Sequence, residues 1–506
     1  MASVFRQSLV LQRWLFLRLG VPELWTRQDV LVRLKEAEGS EWGEQSPFLG
    51  PLLALRLRGE PDRFLTNEAL RALDADLVAI THRLGDPRWL YFQYLSLLLA
   101  GIALDALYRD RDGLLAALNQ TIAEHNRARE GQARAGKGKG ATRGKAELGT
   151  LPPLVDKDLM RLCCWQATGS GKTLVLHANR LQALLYSRRY AQENLERRPQ
   201  AVELQPPQRV ILLAPNSGLV EQHVAEAQRL GVTVRPFVKG QLFDRVVDGE
   251  DALLGLSIHQ LTAPGGAAGA TTVPPEMFEG RNLVLVDEGH RGSTSADGKW
   301  RQIREALSQK GLVMEYSATF EQAAKTPEMF NHYARSVFID YSYPRFHGDG
   351  YGKHYRVLNL QDKGDTAPQA QDDYYTAAIV AFFQQLLMFE LHGAWMKEHN
   401  IARPLMLFAG STVVGNAQDD PKTLDPAEQT DIVRVLTFFG RLCSGDAVAL
   451  KTLGDVLNGR AGLLTKKDED VFQTWFRELP DRDPKTVHAE LLRRVFRAPG
   501  PGPVLL

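Results

Sequence analysis

Cysteine, net charge and long apolar runs are all scarce in this chain of 506 residues. Its three cysteines cannot form a disulfide framework, and Cys443 has no histidine or cysteine at a metal-binding spacing. We therefore expect a reducing, cytoplasmic location. No run approaches the ~20 apolar residues of a membrane span. Arg13 and Arg18 interrupt the apolar N-terminal stretch, which argues against a signal peptide and predicts no membrane association.

The formal net charge is only +1, so the chain has no overall electrostatic field that would attract nucleic acid. Any nucleic-acid contact must therefore come from a local basic surface. An apolar content of 44% and a charged content of 24% are typical of soluble globular proteins. The length is sufficient for two or three domains, each with its own core.

Among the features that are present, a glycine loop is the most informative, and its residues are Ala167, Thr168, Gly169, Ser170, Gly171, Lys172 and Thr173. The glycines allow the backbone N–H groups to point at a polyphosphate, Lys172 reaches the β- and γ-phosphates of ATP, and Thr173 offers a hydroxyl to Mg²⁺. A predicted strand at 161–165 and a predicted helix from 174 give the context that such a loop requires. Gln166 stands where the strict pattern has glycine, so a flexible Gly/Ser loop is the alternative.

A second stretch supplies acidic groups. The apolar run 282–286 is typical of a strand that is buried on both faces, and Asp287 and Glu288 follow it directly. A carboxylate at this end of a parallel strand lies where nucleotides bind. We predict that Asp287 holds Mg²⁺ and that Glu288 deprotonates the attacking water. A solvated turn is the alternative for an isolated Asp-Glu pair.

The N-terminal part of the chain has helical periodicity. Apolar residues recur at helical spacing up to about residue 128, which predicts a helical domain that packs on the ATPase part. Residues 129–150 are basic and glycine-rich, and we predict a mobile loop that is either a solvated linker or an arm that touches a phosphate backbone. We find no strand with the acidic and D/E-x-K pattern of restriction nucleases, so we expect no nuclease in this chain.

Several of these segments together resemble the superfamily 2 DExH-box helicases. The acidic stretch is similar to their D-E-x-H box, and three other segments are similar to motifs Ia, Ib and III: 212–217 with Gln222, 257–261, and Ser317-Ala318-Thr319. Within that superfamily the chain resembles the helicase portion of type III restriction enzyme Res subunits and related phage-defence helicases. The resemblance covers about residues 155–415.

The resemblance implies an α/β fold with a first RecA-like lobe at 151–345 and an incomplete second RecA-like lobe at 346–506. In the second lobe, 404–408 would be a strand. The resemblance also assigns roles outside the phosphate loop and the acidic pair. Gln93 would grip adenine, although an ordinary polar residue at a helix start is the alternative. Coupling of hydrolysis to lobe movement would involve His290, Ser317 and Thr319, and the segments around Asn216 and Gln260 would hold nucleic-acid phosphates.

The later helicase motifs, including an arginine finger, are not visible, and Arg441 is predicted to be an ordinary helix-surface residue. The expected function is an ATP- and Mg²⁺-dependent nucleic-acid translocase or helicase subunit of a restriction or phage-defence system, with DNA favoured over RNA. A partner is expected, either a methyltransferase or a chain that completes the second lobe. The alternatives are a nucleotide-dependent switch with negligible turnover and a DExH RNA helicase.

Overall fold

The computed structural model divides the chain into two compact units, Met1–His354 and Tyr355–Leu506. The structure describes residues 4–58, 63–135, 150–240, 252–289, 298–352, 368–399, 401–408, 431–460 and 483–497. We call the two units unit 1 and unit 2 and treat each by itself.

Unit 1 is built on a seven-stranded sheet with the strand order β3-β4-β2-β5-β6-β1-β7. All neighbouring strands are parallel. The strands are β1 Arg161–Gln166, β2 Arg209–Ala214, β3 Val234–Pro236, β4 Leu253–Ser257, β5 Asn282–Asp287, β6 Val313–Ser317 and β7 Val337–Tyr341. The predicted strands at 161–165 and 282–286 are thus confirmed, and each extends one residue further.

The central strands are apolar on both faces, as the sequence predicts. In β5, Leu283 and Leu285 belong to a large core on one face, whereas Val284 and Val286 belong to a smaller core on the other. Successive side chains of a strand point to opposite faces, so a continuous apolar run fills both cores. Helices cover the two faces, which confirms the expected α/β fold.

The helices of unit 1 before the glycine loop are α1 Val4–Gln7, α2 Val10–Leu19, α3 Gln28–Glu36, α4 Leu49–Leu55, α5 Asn67–Arg83, α6 Tyr91–Arg109 and α7 Arg111–Ala135. Those after it are α8 Lys172–Arg189, α9 Ala191–Arg197, α10 Ser217–Arg229, α11 Gly298–Ser308, α12 Phe320–Ala323, α13 Pro327–Ser336 and α14 Tyr343–Gly348.

The predicted helical region is present, but it is not a separate domain. Its buried residues belong to the same core as one face of the sheet. Phe5 of α1 lies 5.6 Å from the Trp165 ring of β1, and Phe92 of α6 stacks on Tyr341 of β7 with ring centroids 4.0 Å apart. Unit 1 therefore continues through the boundary that the sequence predicts at residue 128, because the helices and the sheet bury their apolar surfaces against each other.

The predicted basic loop also begins later than expected. Helix α7 continues to Ala135, so residues 129–135 are helical. Residues 136–149, which carry most of the lysines and glycines of the predicted loop, lie outside the described residues. The two hypotheses for this segment, a solvated linker and a phosphate-binding arm, both stay predictions.

The described part of unit 2 contains helices and no strand. They are α15 Pro368–Leu391, α16 Gly393–Glu398, α17 Asp431–Ser444, α18 Ala447–Leu457 and α19 Pro484–Arg494. The strand predicted at 404–408 is wrong, because this segment pairs with no other chain segment among the described residues and leaves Leu405 and Leu407 about 80% exposed. The assignment of unit 2 to a second RecA-like lobe therefore has no described strand to support it.

Two helical segments are long and apolar enough to cross a membrane by length and composition alone, Tyr91–Arg109 and Gln371–Leu391. The most apolar part of the first is 89% buried within the protein, and that of the second is 33% buried. The apolar character of α6 is therefore explained by its place in the core of unit 1.

Candidate nucleotide site

Five predicted motifs lie at one edge of the sheet of unit 1. Each follows the carboxyl end of a parallel strand: the glycine loop follows β1, Asn216 follows β2, Gln260 follows β4, the acidic pair ends β5, and Ser317 ends β6. In the sheet β6 lies between β5 and β1. The strand of motif III is therefore flanked by the strand of the acidic pair and the strand of the glycine loop. Ligands of parallel α/β sheets bind at this edge.

The glycine loop has the backbone shape that phosphate binding requires. Gly169 and Gly171 have φ angles of 83° and 80°, in the left-handed region that glycine adopts without strain. Gly171 caps the N-terminus of α8, so Lys172 and Thr173 lie in its first turn. Thr168 and Gly169 are exposed, and the Lys172 ammonium donates to the Ala167 carbonyl over 3.3 Å. The helix dipole and free N–H groups of such a turn attract an anion.

Helix α6 holds this loop from the N-terminal side. The Gln93 amide nitrogen donates to the Ser170 carbonyl over 2.8 Å, and its oxygen accepts from the Leu90 N–H over 2.9 Å. Gln166 donates to the Ser96 hydroxyl over 2.5 Å. Gln166, at the position where the strict pattern has glycine, therefore ties the end of β1 to α6. The contact of Gln93 with adenine stays a prediction, since its amide here joins the loop to the helix start.

Asp287 is held by a residue that the sequence does not suggest. Its Oδ2 atom lies 3.0 Å from Nε2 of the buried His223 on α10, and its Oδ1 accepts from the Glu288 N–H over 3.0 Å. Burial alone would raise the pKa of Asp287, but the hydrogen bond from His223 and the positive charge of Lys172 hold this pKa below its usual value. Asp287 is therefore an anion near Lys172, as a Mg²⁺ ligand must be.

Glu288 has an unusual backbone conformation. Its φ angle of 55° is in the left-handed region, which costs a non-glycine residue about 1 kcal/mol or more and is concentrated at functional sites. The next residue approaches β6 closely: the Gly289 N–H donates to the Tyr316 carbonyl over 3.0 Å, and a Cβ atom at Gly289 would lie 2.8 Å from Cβ of Glu315. The third position of the box is therefore glycine, because no side chain fits between this residue and β6.

Motif III lies beside the glycine loop. The Ser317 hydroxyl accepts from the Thr319 N–H over 3.0 Å, and the Trp165 indole donates to the Ala318 carbonyl over 2.9 Å. The Thr319 hydroxyl is buried and has no hydrogen-bond partner within the described part of the chain. His290 lies outside the described residues. The coupling roles of these three residues, Ser317, Thr319 and His290, stay predictions.

The predicted nucleic-acid residues have structural contacts of their own. Asn216 caps α10 by accepting from the Leu219 N–H over 2.9 Å. Gln260 donates to the Phe237 carbonyl and accepts from the Ser257 N–H, both over 2.9 Å. These side chains therefore shape two turns at the ends of the adjacent strands β2 and β4. The predicted phosphate contacts come from backbone N–H groups around Asn216 and Gln260, so they do not need these side chains to be free. Their contact with phosphates stays a prediction.

The residues available for a metal fit Mg²⁺. Within the described ranges, no group of three or more histidine, cysteine or acidic side chains could hold a metal by itself. Mg²⁺ in nucleotide sites needs no such cage, because water and the phosphates supply most of its oxygen ligands and the protein adds one or two. The hydroxyl of Thr173 and the carboxylate of Asp287 are ligands of that hard type, so the donor set fits a nucleotide-bound Mg²⁺.

Comparison with known proteins agrees with this geometry. Residues 150–326 match the DEAD/DEAH box helicase family. No curated protein matches the chain. One similar solved structure is the UvsW helicase from bacteriophage T4, with 12% sequence identity and a TM-score of 0.22 over 35% of this chain and 54% of that chain. The chain thus spans about half the length of that protein. The family match and the site geometry together indicate that residues 150–326 are similar to a DEAD/DEAH box helicase domain, which is a RecA-like lobe.

Proposed function

We propose that this protein is an ATP-dependent nucleic-acid translocase or helicase subunit that acts on DNA in a restriction or phage-defence system. The observation that carries the proposal is the convergence of the glycine loop, the acidic pair, motif III and the two predicted nucleic-acid turns on one edge of the sheet. The proposed partner is a methyltransferase or a chain that completes the motor, and the proposed location is the cytoplasm.

In this proposal the glycine loop binds the phosphates of ATP, with Lys172 on the β- and γ-phosphates. Thr173 and Asp287 hold Mg²⁺, which supplies neutralisation of the developing phosphate charge when it is bound. Glu288 accepts a proton from water, whose oxygen attacks the γ-phosphorus while the bond to the β-phosphate breaks and ADP leaves. The anionic state of Asp287 and the strained conformation of Glu288 support these assignments.

The nucleic-acid part of the proposal is supported by the turns that begin after β2 and β4. Their strands are neighbours, and Ala214 pairs with Ser257 at the end of both. Two adjacent turns with N–H groups at this edge suit successive phosphates of one strand. Helix α10 connects the first of these turns to the nucleotide site, because Asn216 caps its N-terminus and His223 on the same helix binds Asp287.

Steady-state phosphate release tests the proposal when it is measured in parallel without nucleic acid and with single-stranded DNA, double-stranded DNA and RNA. We expect ATP hydrolysis that DNA stimulates more than RNA does. Stimulation by RNA alone would support the RNA helicase instead. Glu288→Gln is the control, because hydrolysis that survives this substitution would come from a contaminant or another base.

A second candidate is a nucleotide-dependent switch with negligible turnover. Two observations favour it: the described part of unit 2 has no strand, and Arg441 pairs there with Asp372 over 2.7 Å. Helicase hydrolysis needs positive charge on both sides of the γ-phosphate. Under this candidate the chain binds ATP with Mg²⁺, ATP binding alone drives its assembly with a partner, and phosphate release stays negligible. Strong DNA-stimulated turnover by the chain alone would contradict it.

A further inference from the structure

The carbonyl of Gly289, directly after Glu288, has two buried donors that the proposed mechanism does not use. The Arg304 guanidinium of α11 donates to it over 3.2 Å, and the Tyr333 hydroxyl of α13 donates over 3.0 Å. The N–H of the same residue is bound to the Tyr316 carbonyl of β6. Both polar groups of Gly289 are therefore fixed, which limits the rotation of the preceding residue.

Arg304 is itself held by a buried acid. Its guanidinium donates to Glu315 of β6 over 2.8 Å, and Glu315 also pairs with Arg161 of β1. Arg304 and Glu315 are only 1% and 0% exposed. Burial by itself would lower the pKa of Arg304, but the charge of Glu315 raises it, so the arginine stays a cation beneath the acidic box.

Such a cluster is poorly explained by stability alone. Two desolvated charges cost free energy that their mutual attraction only partly offsets, and apolar residues of the same volume often stabilise a fold at least as well. What a buried cation does provide is a donor of fixed direction. Here that donor points at the carbonyl of Gly289, the residue after Glu288. The φ angle of 55° at Glu288 needs an external restraint.

We propose that Arg304 and Tyr333 are positioning residues, which hold the Gly289 carbonyl and thereby keep the Glu288 carboxylate aimed at the attacking water. Glu315 orients Arg304 in this arrangement. The inference rests on the proposed function, since it assumes that Glu288 is the base. It adds three residues from β6, α11 and α13 that lie far from the box in the sequence. Glu315 lies two residues before Ser317 on β6, so this strand contributes both to motif III and to the support of Gly289.

Tyr333→Phe is the primary test, because it removes one donor and keeps the ring. The matched control is Tyr94→Phe, which also removes a buried hydroxyl, one that donates to Asp74 over 2.8 Å within the N-terminal helices. Misplacement of a reacting group by about 1 Å costs up to ~10²-fold in rate, so we expect a fall of about tenfold in kcat for Tyr333→Phe with unchanged ATP affinity. The control should lose thermal stability to a similar extent without losing kcat.

A second measurement does not depend on turnover. The complex of ADP, Mg²⁺ and aluminium fluoride imitates the transition state and needs an aligned water, whereas ADP alone does not. Tyr333→Phe should weaken the aluminium fluoride complex about tenfold and leave ADP affinity unchanged, in line with the expected loss of kcat. Equal affinity of wild type and variant for both species would overturn the inference.

The double variant separates this inference from the proposed function. If Tyr333 acts through Glu288, Tyr333→Phe should add no further loss of single-turnover rate to Glu288→Gln. An equal loss in both backgrounds would indicate a general structural role and overturn the inference. If Glu288→Gln alone behaves like wild type, the base is another residue and only the inference fails. If wild type neither binds nor hydrolyses ATP, the proposed function fails and the inference fails with it.

Discussion

The two halves of the nucleotide site are held in place by different chemistry. The glycine loop is tied to α6 by neutral groups, the amides of Gln93 and Gln166. The acidic box is held by ionisable groups instead: His223 binds Asp287, and the Arg304–Glu315 pair lies under Gly289. Both sets of contacts are largely buried.

Nucleotide binding and hydrolysis are therefore expected to depend on different kinds of contact within one site. Neutral hydrogen bonds contribute about 1 kcal/mol each, and they can hold the loop backbone in its phosphate-binding conformation without adding charge to the site. Charged groups fix direction more strongly and also set the protonation state of their partner, which a metal ligand and a base both need. Substitutions in the first half should therefore change nucleotide affinity, and those in the second half should change turnover.

The largest effect is expected from Lys172→Ala. Loss of a charge-assisted contact to the phosphates costs about 3 kcal/mol, or about a hundredfold in ATP affinity, and turnover should become undetectable. The fold should remain, because the side chain is half-buried at the loop surface. Equilibrium binding of a fluorescent ATP analogue and thermal melting check this, with the exposed Lys157→Ala as control. Normal ATP affinity in the variant would contradict the assignment of the glycine loop to the nucleotide site.

Glu288→Gln should act on chemistry alone. The amide keeps the shape of the side chain but cannot take the proton, and a general base contributes ~10²–10⁴-fold in rate. Single-turnover hydrolysis and ATP binding, measured on the same preparation, should show a large fall in the first and no change in the second. Undiminished hydrolysis would mean that another residue is the base and that the acidic box does not control turnover.

His223→Ala should affect the metal. It removes the partner of the Asp287 carboxylate, and loss of such a supporting contact typically costs ~10–100-fold in metal affinity or activity. We expect a higher Mg²⁺ concentration for half-maximal turnover, with rescue by His223→Gln, whose amide can donate to the same oxygen. His177→Phe is the control, because this buried neighbour has no hydrogen-bond partner in the described residues. An unchanged Mg²⁺ requirement in His223→Ala would mean that His223 contributes only to packing and does not support the metal ligand.

Gln93→Ala should have the smallest effect and can separate two roles. The loss of one neutral contact to the loop should weaken ATP about fivefold. If Gln93 only shapes the loop, GTP and ATP should weaken equally; if it also grips adenine, ATP should weaken more. The control is Gln182→Ala, which removes another buried amide between α8 and α6, one that donates to the Leu97 carbonyl over 2.9 Å. Wild-type nucleotide affinity in Gln93→Ala would contradict both roles.

The sequence predicted the secondary structure around the candidate site well. The strands β1 and β5, the helix after the glycine loop and the family of the domain all follow from short segments in which backbone shape and chemistry coincide. It was less successful where long-range packing decides. The helices before residue 128 share the core of the sheet, and the apolar segment at 404–408 forms no strand, although Met406 and Phe408 pack on the helices of unit 2.

The amino-acid sequence is therefore sufficient for the backbone of the glycine loop and for the acidic pair at the end of β5, since each depends on residues within a few positions of one another. The tertiary structure decided what holds them. His223 meets Asp287 across 64 residues, Tyr333 meets Gly289 across 44, and Gln93 meets Ser170 across 77. No local pattern marks His223 or Tyr333, and none predicts the contact of Gln93 with the glycine loop, because these contacts are set by the parallel strand order, which brings distant chain segments to one edge of the sheet.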